Sequence, residues 1–214
     1  MNHSICKNIQ EIEEEIGKTQ LVVVSKYRSL EELEKVYSCG HRHFGENRVQ
    51  ELVDKYETLP KDINWHVIGH LQTNKVKYIA PFVHLIHSVD SLKLLKAIDK
   101  EAAKSDRVID FLFQMHIAQE DTKFGLSEDE LKSILENDEY SSLNNVRCKG
   151  LMGMATNTED NNQVTSEFTA LKATYDMYAA DCNFDILSMG MSSDYLVALA
   201  NGSTIIRVGS KIFQ

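Results

Sequence analysis

The stretch Leu21-Val22-Val23-Val24-Ser25-Lys26 is a short apolar run that ends in a lysine, and its β-branched composition predicts a buried β-strand. Seven more apolar runs of strand length follow, with helix-patterned segments between them. This alternation is typical of a parallel sheet, and eight repeats predict a single (β/α)8 barrel, a TIM barrel. The predicted strands lie near residues 21–25, 41–45, 65–69, 84–89, 111–117, 149–154, 184–189 and 204–209.

The length of 214 residues is at the small end of the range for one such barrel. We therefore expect residues 1–214 to form a single domain. Ahead of the first strand, four isoleucines recur at helical spacing and define an apolar stripe, so we expect an extra N-terminal helix that packs beneath the barrel. They are Ile5, Ile9, Ile12 and Ile16.

Three helix starts are visible in the sequence. Ser29 and Ser127 each precede a glutamate by three residues, which is the pattern of a capping box. Asn47 is expected to cap a helix over residues 48–57, with Gln50 at its third position.

Composition excludes several classes of protein. Hydrophobic residues make up 43% of the chain and charged residues 26%, as in globular proteins. No apolar run approaches the roughly 20 residues of a membrane helix, and residues 1–17 lack the apolar core of a secretory signal. The formal net charge of -9 disfavours nucleic acid and anionic membranes as partners. We expect a cytoplasmic monomer.

Four cysteines lie far apart, without a C-x-x-C pair, so neither a zinc site nor a redox dithiol is indicated. We expect Cys6, Cys39, Cys148 and Cys182 to be reduced, partly buried thiols.

Lys26 is the first candidate functional residue. A lysine at the carboxyl end of a buried strand is expected to lose hydration, which leaves a nucleophilic amine able to condense with a carbonyl. The simpler interpretation is that Lys26 turns to solvent. A nearby phosphate pocket would favour the first interpretation and would make pyridoxal phosphate (PLP) the leading ligand.

Two loops predict that pocket, because barrels bind phosphates after strands seven and eight. Ser188-Met189-Gly190-Met191-Ser192-Ser193-Asp194 follows strand seven, where serines are expected to open a helix, and Gly209-Ser210 follows strand eight. The serines could equally be simple helix caps. Arg207 lies within the eighth apolar strand, so it needs a buried partner, either a cofactor atom or a carboxylate on a neighbouring strand.

The histidines suggest a metal site less strongly. His41 and His43 share a strand face, but they begin their strand, at the end of the barrel that is not catalytic. His66 and His70 are about 13 Å apart on an extended chain, too far for one ion. We interpret these histidines as structural residues or as residues that support a site without touching its ligand, and we predict no metal site.

Several long motifs occur in one order along the chain. They are Val24-Ser25-Lys26, Phe44-Gly45-Glu46-Asn47-Arg48-Val49-Gln50-Glu51, Trp65-His66-Val67-Ile68-Gly69-His70-Leu71-Gln72-Thr73-Asn74-Lys75, Ser88-Val89-Asp90-Ser91, Gly150-Leu151-Met152, Leu187-Ser188-Met189-Gly190-Met191-Ser192 and Arg207-Val208-Gly209. Together they resemble the motifs of the pyridoxal phosphate homeostasis protein family. That family resembles the barrel domain of bacterial alanine racemase, and it binds PLP as a Schiff base without a well-established reaction of its own.

The resemblance implies roles for particular residues. It makes Lys26 the lysine that binds PLP covalently as an aldimine, places Asn47 and Met152 beside the cofactor ring, and directs Arg207 towards the pyridine nitrogen. The phosphate would be surrounded by Ser188, Gly190, Met191, Ser192, Gly209 and Ser210.

The expected function is to carry and buffer PLP in vitamin B6 homeostasis, with PLP-dependent apoenzymes as recipients. An arginine facing the pyridine nitrogen leaves it unprotonated and weakens the electron sink, and a racemase needs a second base that this chain has no further domain to supply. We therefore predict no catalytic residue. The alternatives are a PLP-dependent racemase or decarboxylase, and a barrel that acts on a sugar phosphate without a cofactor.

Overall fold

The computed structural model describes residues 2–120 and 124–214, and it confirms the predicted barrel. Eight parallel strands close in the order β1-β2-β3-β4-β5-β6-β7-β8, so that each strand pairs with its neighbours in sequence and β8 pairs with β1. The strands are β1 Gln20–Val24, β2 His43–Glu46, β3 Asn64–Val67, β4 Leu85–Val89, β5 Ile109–Met115, β6 Val146–Gly153, β7 Ile186–Ser188 and β8 Ile205–Val208.

One helix precedes β1, and the other helices described follow strands β1 to β7 and surround the barrel. They are α1 Asn2–Ile16, α2 Leu30–Ser38, α3 Val49–Thr58, α4 Val76–Ile79, α5 Leu92–Lys104, α6 Glu128–Leu135, α7 Asp138–Ser141, α8 Asn161–Cys182 and α9 Tyr195–Ala200, with a 3-10 turn at Thr73–Lys75. Within the described residues, no helix combines the length and the apolar character that crossing a membrane requires.

Helix α1 lies beside the barrel and not beneath it. Its four predicted isoleucines are buried, as expected from their spacing. The Asn8 side chain donates a hydrogen bond to the carbonyl oxygen of Ile212 at 3.0 Å, and Tyr195 donates one to Glu15. Because α1 thereby contacts the segment that follows β8, it covers the wall where the chain's last and first strands meet.

The predicted capping boxes are both present. Ser29 and Glu32 exchange hydrogen bonds at the start of α2, and Ser127 and Glu130 do the same at α6. The predicted cap at Asn47 is wrong. Helix α3 begins at Val49, one residue later than predicted, so its N-cap residue is Arg48, which makes no side-chain capping hydrogen bond.

Two of the cysteines are paired, so the expectation of free thiols is wrong for them. Cys6 on α1 and Cys39 at the end of α2 form a disulfide, with their Cα atoms 5.4 Å apart. Packing of α1 against α2 brings the two residues together, and their separation of 33 positions in the sequence does not reveal it. Cys148 and Cys182 are free.

Removal of this disulfide by Cys39→Ser is expected to lower the free energy of unfolding by about 2–4 kcal/mol, because the cross-link restricts the unfolded chain. Urea unfolding without reductant measures the change, and Cys182→Ser is the control because that thiol is free. If reductant leaves the stability of the unaltered chain unchanged, the disulfide does not contribute as we expect.

Candidate functional site

A cavity of about 460 Å³ opens at the carboxyl ends of the strands, which is the end where barrel enzymes place their sites. Its wall includes three cationic side chains and no acidic one among the described residues. The lining residues are Val24, Lys26, Tyr27, Arg28, Asn47, Ile68, Met154, Met191, Ser192, Ser193, Arg207, Gly209 and Ser210.

Lys26 reaches this cavity from the loop after β1. Its side chain is exposed, and in the part of the chain that the structure describes its amine makes no hydrogen bond or ion pair. The expected loss of hydration is therefore not observed, since β1 ends at Val24 and the chain has already left the sheet. What the structure provides is an accessible, unpaired amine. Tyr27 follows it in the left-handed region, with φ 61°.

A buried ion pair supports the backbone next to Lys26. Glu46 at the end of β2 and Lys55 on α3 are both buried and in contact, and the Lys55 amine also donates to the carbonyl oxygen of Ser25 at 2.8 Å. The Ser25 hydroxyl donates to Glu46 at 2.8 Å. Two buried charges are tolerated here because each is paired and hydrogen-bonded. The group joins the ends of β1 and β2 to α3.

Asn47 is held at the cavity by its neighbours. Its backbone N–H donates to the Glu46 side chain, and its backbone also packs closely against Gly69 in the loop after β3. A Cβ atom at Gly69 would lie 2.5 Å from the Asn47 carbonyl oxygen, so this approach requires glycine. The position of Asn47 thus depends on both the end of β2 and the loop after β3.

The two predicted phosphate loops meet at the cavity. The Gly209 amide donates to the Ser192 hydroxyl at 3.3 Å, which connects the loop after β8 to the loop after β7. The expectation that the serines open a helix is wrong, because α9 begins only at Tyr195. Asp194 instead accepts a hydrogen bond from the Met191 amide at 2.5 Å, so Ser192 and Ser193 lie in a tight turn.

Arg207 is buried within β8 and borders the cavity. Its guanidinium donates to the Ser188 hydroxyl at 2.6 Å and to the Gly153 carbonyl oxygen at 3.0 Å. Burial lowers its pKa to about 10, and the negative charge of Asp194 acts in the opposite direction. An arginine on neutral oxygen atoms keeps its positive charge available to an anionic or electron-rich ligand.

Seven of the ten predicted site residues line the cavity, and Met152, Ser188 and Gly190 do not. Met152 is fully buried in the barrel interior, and Met154, two residues later on the same face, reaches the cavity instead. Ser188 accepts a hydrogen bond from the Arg207 guanidinium and does not itself reach the cavity. Gly190, with φ +98°, supports α9, because a Cβ atom there would lie 2.6 Å from the Ala198 Cβ.

A chain of polar side chains runs from Arg207 through the barrel interior. His87 Nδ1 lies 2.9 Å from the Ser188 hydroxyl, His66 Nδ1 lies 2.9 Å from His87 Nε2, and His43 Nδ1 lies 3.0 Å from His66 Nε2. Burial lowers the pKa of His66 and of His87 well below the ordinary value. Neutral imidazoles both donate and accept, so this chain is internally satisfied.

Reasoning from the sequence did not single out Glu46, Lys55 or His87 for these roles. The sequence does contain a signal for His87: it lies two residues after Leu85 in an apolar strand, so both side chains point to the same buried face. Glu46 and Lys55 are nine residues apart on a strand and the following helix, and only their packing shows that they pair.

A family model described as alanine racemase, N-terminal domain, matches residues 3–214. The pyridoxal phosphate homeostasis protein of Aquifex aeolicus is 39% identical over 217 residues, covering 98% of this chain and 94% of that protein. The Helicobacter pylori protein of the same name is 35% identical over 201 residues, covering 91% and 87%.

Solved structures agree with these sequence matches. PipY of Synechococcus elongatus PCC7942 with PLP bound has a TM-score of 0.89 and 31% identity, covering 98% of this chain and 100% of its own. Alanine racemase from Bartonella henselae has a TM-score of 0.76 and 13% identity, covering 99% of this chain and 58% of its own, so it shows the fold alone.

Replacement of the buried carboxylate by Glu46→Gln is expected to lower the free energy of unfolding by about 3–5 kcal/mol, because it leaves the Lys55 charge without its partner. Urea unfolding at neutral pH gives the value. The exposed pair of Lys96 and Glu139 provides the matched control, since Glu139→Gln should cost less than about 1 kcal/mol. Equal effects of the two substitutions would contradict a structural role for the buried pair.

Proposed function

This chain belongs to the pyridoxal phosphate homeostasis protein family, and on that premise we propose that residues 1–214 form one domain that binds PLP and contributes to its homeostasis without catalysing a reaction. The unpaired amine of Lys26 on the wall of a cationic cavity is the observation that carries this proposal. Bound PLP supplies an aldehyde, and we infer that Lys26 holds it as a Schiff base.

The cavity fits such a ligand in size and in charge. Its volume of about 460 Å³ lies within the range of roughly 300–1,000 Å³ that small-molecule sites occupy. Lys26, Arg28 and Arg207 contribute positive charge on its wall. PLP is anionic, so this lining favours it although the whole chain has a formal net charge of -9.

We assign the remaining roles from the lining residues. Ser192, Gly209 and Ser210 are proposed to receive the phosphate, because they line the cavity where the loop after β7 meets the loop after β8 through the hydrogen bond from the Gly209 amide to the Ser192 hydroxyl. Asn47 and Met154 are proposed to border the ring, with Met154 in the place that the resemblance gave to Met152. Ser188 and Gly190 then act indirectly, through Arg207 and through α9.

The proposal that the protein does not catalyse a reaction rests on the positive charge of the side chains that line the cavity. We propose that Arg207 faces the pyridine nitrogen, where a positive charge opposes protonation and so weakens the ring as an electron sink. The cavity wall has no acidic side chain, among described residues, to protonate the ring. A carrier needs reversible binding only. Transfer to PLP-dependent apoenzymes, the cytoplasmic location and the monomeric state stay predictions from the sequence.

Lys26→Ala is expected to fold normally, because the side chain is exposed, and to lose covalent PLP binding. The unaltered protein mixed with PLP should become yellow, and borohydride should fix the cofactor onto the peptide that contains Lys26. Lys75→Ala, which removes another lysine from a loop at the same end of the barrel, should keep both the colour and the label.

A borohydride label on a different lysine, or no label at all, would contradict the assignment of Lys26. The same samples are incubated with amino acids, since a PLP-dependent racemase or decarboxylase would convert one of them steadily. Such turnover, abolished by Lys26→Ala, would replace the carrier proposal with the enzymatic one.

Ser210→Asp is expected to weaken PLP binding by more than about tenfold, because like charges a few ångströms apart repel by more than about 1.4 kcal/mol at protein surfaces. Titration with pyridoxal, which lacks the phosphate, provides the internal comparison and should change little. Ser142→Asp on the exposed surface after α7 controls for added charge. An equal loss for PLP and for pyridoxal would place the phosphate elsewhere.

A further inference from the structure

We propose that His43, His66 and His84 bind a divalent first-row transition metal ion, with Zn²⁺ as the best fit, at the amino-terminal end of the barrel. His43 begins β2, His66 lies within β3, and His84 immediately precedes β4. The site is therefore at the opposite end of the barrel from the cavity. It is independent of the proposed function, and it revises the interpretation of His43 and His66 as purely structural residues.

The distances between the three side chains suit one ion. Each histidine has a ring nitrogen that lies within 4.8 Å of the chosen nitrogens of the other two. His43 Nδ1 and His66 Nε2 are 3.0 Å apart. Two nitrogens bound to the same tetrahedral zinc at about 2.0–2.1 Å are separated by roughly 3.3–3.4 Å, so little movement is required of this pair.

The backbone of three neighbouring strands fixes the positions of the histidines. His43 and Asn64 are partners in the pairing of β2 with β3. The His84 amide donates to the Trp65 carbonyl oxygen at 2.8 Å, which ties the start of β4 to β3. The ring centroids lie 5.2–5.6 Å from one another, so the rings form a nearly equilateral triangle.

Two of the proposed ligands already have outer partners. His66 Nδ1 lies 2.9 Å from His87 Nε2, and His43 Nε2 lies 3.3 Å from the Asn64 side-chain amide. Metal-bound histidines almost always donate their second ring N–H to such a partner, which orients the ring. Rotation of the Asn64 amide by half a turn would present its oxygen to His43.

A hydrogen bond between His43 and His66 would by itself explain why those two rings meet. It does not explain the third ring, because the ring nitrogens of His84 make no hydrogen bond within residues 2–120 and 124–214. His84 is exposed, so water has access to the open side of the triangle. Three protein ligands with one open position are a common zinc arrangement.

The side-chain chemistry also suits a metal ion, because a neutral imidazole offers a free lone pair as a ligand. Asp110 contributes negative charge near His84, and Arg107 opposes it. Imidazole ligands suit zinc, copper, nickel and iron.

The test is calorimetric titration of the full chain with Zn²⁺ after removal of metals by chelation, with and without PLP. We expect one ion per chain in both conditions. His84→Ala should fold, because the side chain is exposed, and should weaken binding at least about 100-fold, since even loss of an outer partner costs about 10–100-fold. His84→Asp, which restores an oxygen ligand, should recover part of the affinity.

His70→Ala is the matched control, because His70 is also exposed but lies near Asp90 and Phe124, away from the triangle. Cys182→Ser excludes zinc binding by the partly exposed thiol. An unaltered protein that binds no Zn²⁺ would overturn the proposal. The proposal also fails if His84→Ala binds Zn²⁺ as tightly as the unaltered chain, or if either control variant loses the ion.

Discussion

The buried contact between Glu46 and Lys55 is the interaction on which the geometry of the cavity depends. It joins the end of β2 to α3, and through Ser25 it also holds the end of β1, from which Lys26 emerges. One Glu46 oxygen also accepts a hydrogen bond from the Asn47 backbone N–H, so the same carboxylate positions Asn47 on the cavity wall. Lys26 is itself exposed, so its location is set by this support and not by its own packing.

The interior of the barrel imposes a second constraint. A small apolar group that includes Val22, Leu112 and Met152 is buried there, and Arg207 and a hydrogen-bonded row of histidines are buried there as well. Buried polar groups are costly unless every one is satisfied, and here each hydrogen-bonds to the next. The two ends of the barrel, with the cavity at one and the histidine triangle at the other, are thereby connected by one polar chain.

Sequence patterns predicted the features that depend on local periodicity. Eight apolar runs correspond to eight strands, the isoleucine stripe to α1, and the serine–glutamate spacing to the caps of α2 and α6. Predictions of the exact residues at which two helices begin were wrong. Helix α3 begins one residue too late for Asn47 to be its N-cap, and the serines after β7 do not open α9 because the Asp194 side chain accepts the Met191 amide in the turn before that helix.

The barrel follows from the sequence pattern alone, because alternation of apolar runs and amphipathic helices leaves few other ways to bury both. The same pattern indicates which loops meet, since parallel strands end at the same edge. The pairing of side chains across elements, in contrast, cannot be read from the pattern. Glu46 with Lys55, Cys6 with Cys39, and His43 with His66 and His84 are contacts between separate elements, and their distances depend on how those elements pack and pair and not on spacing along the chain.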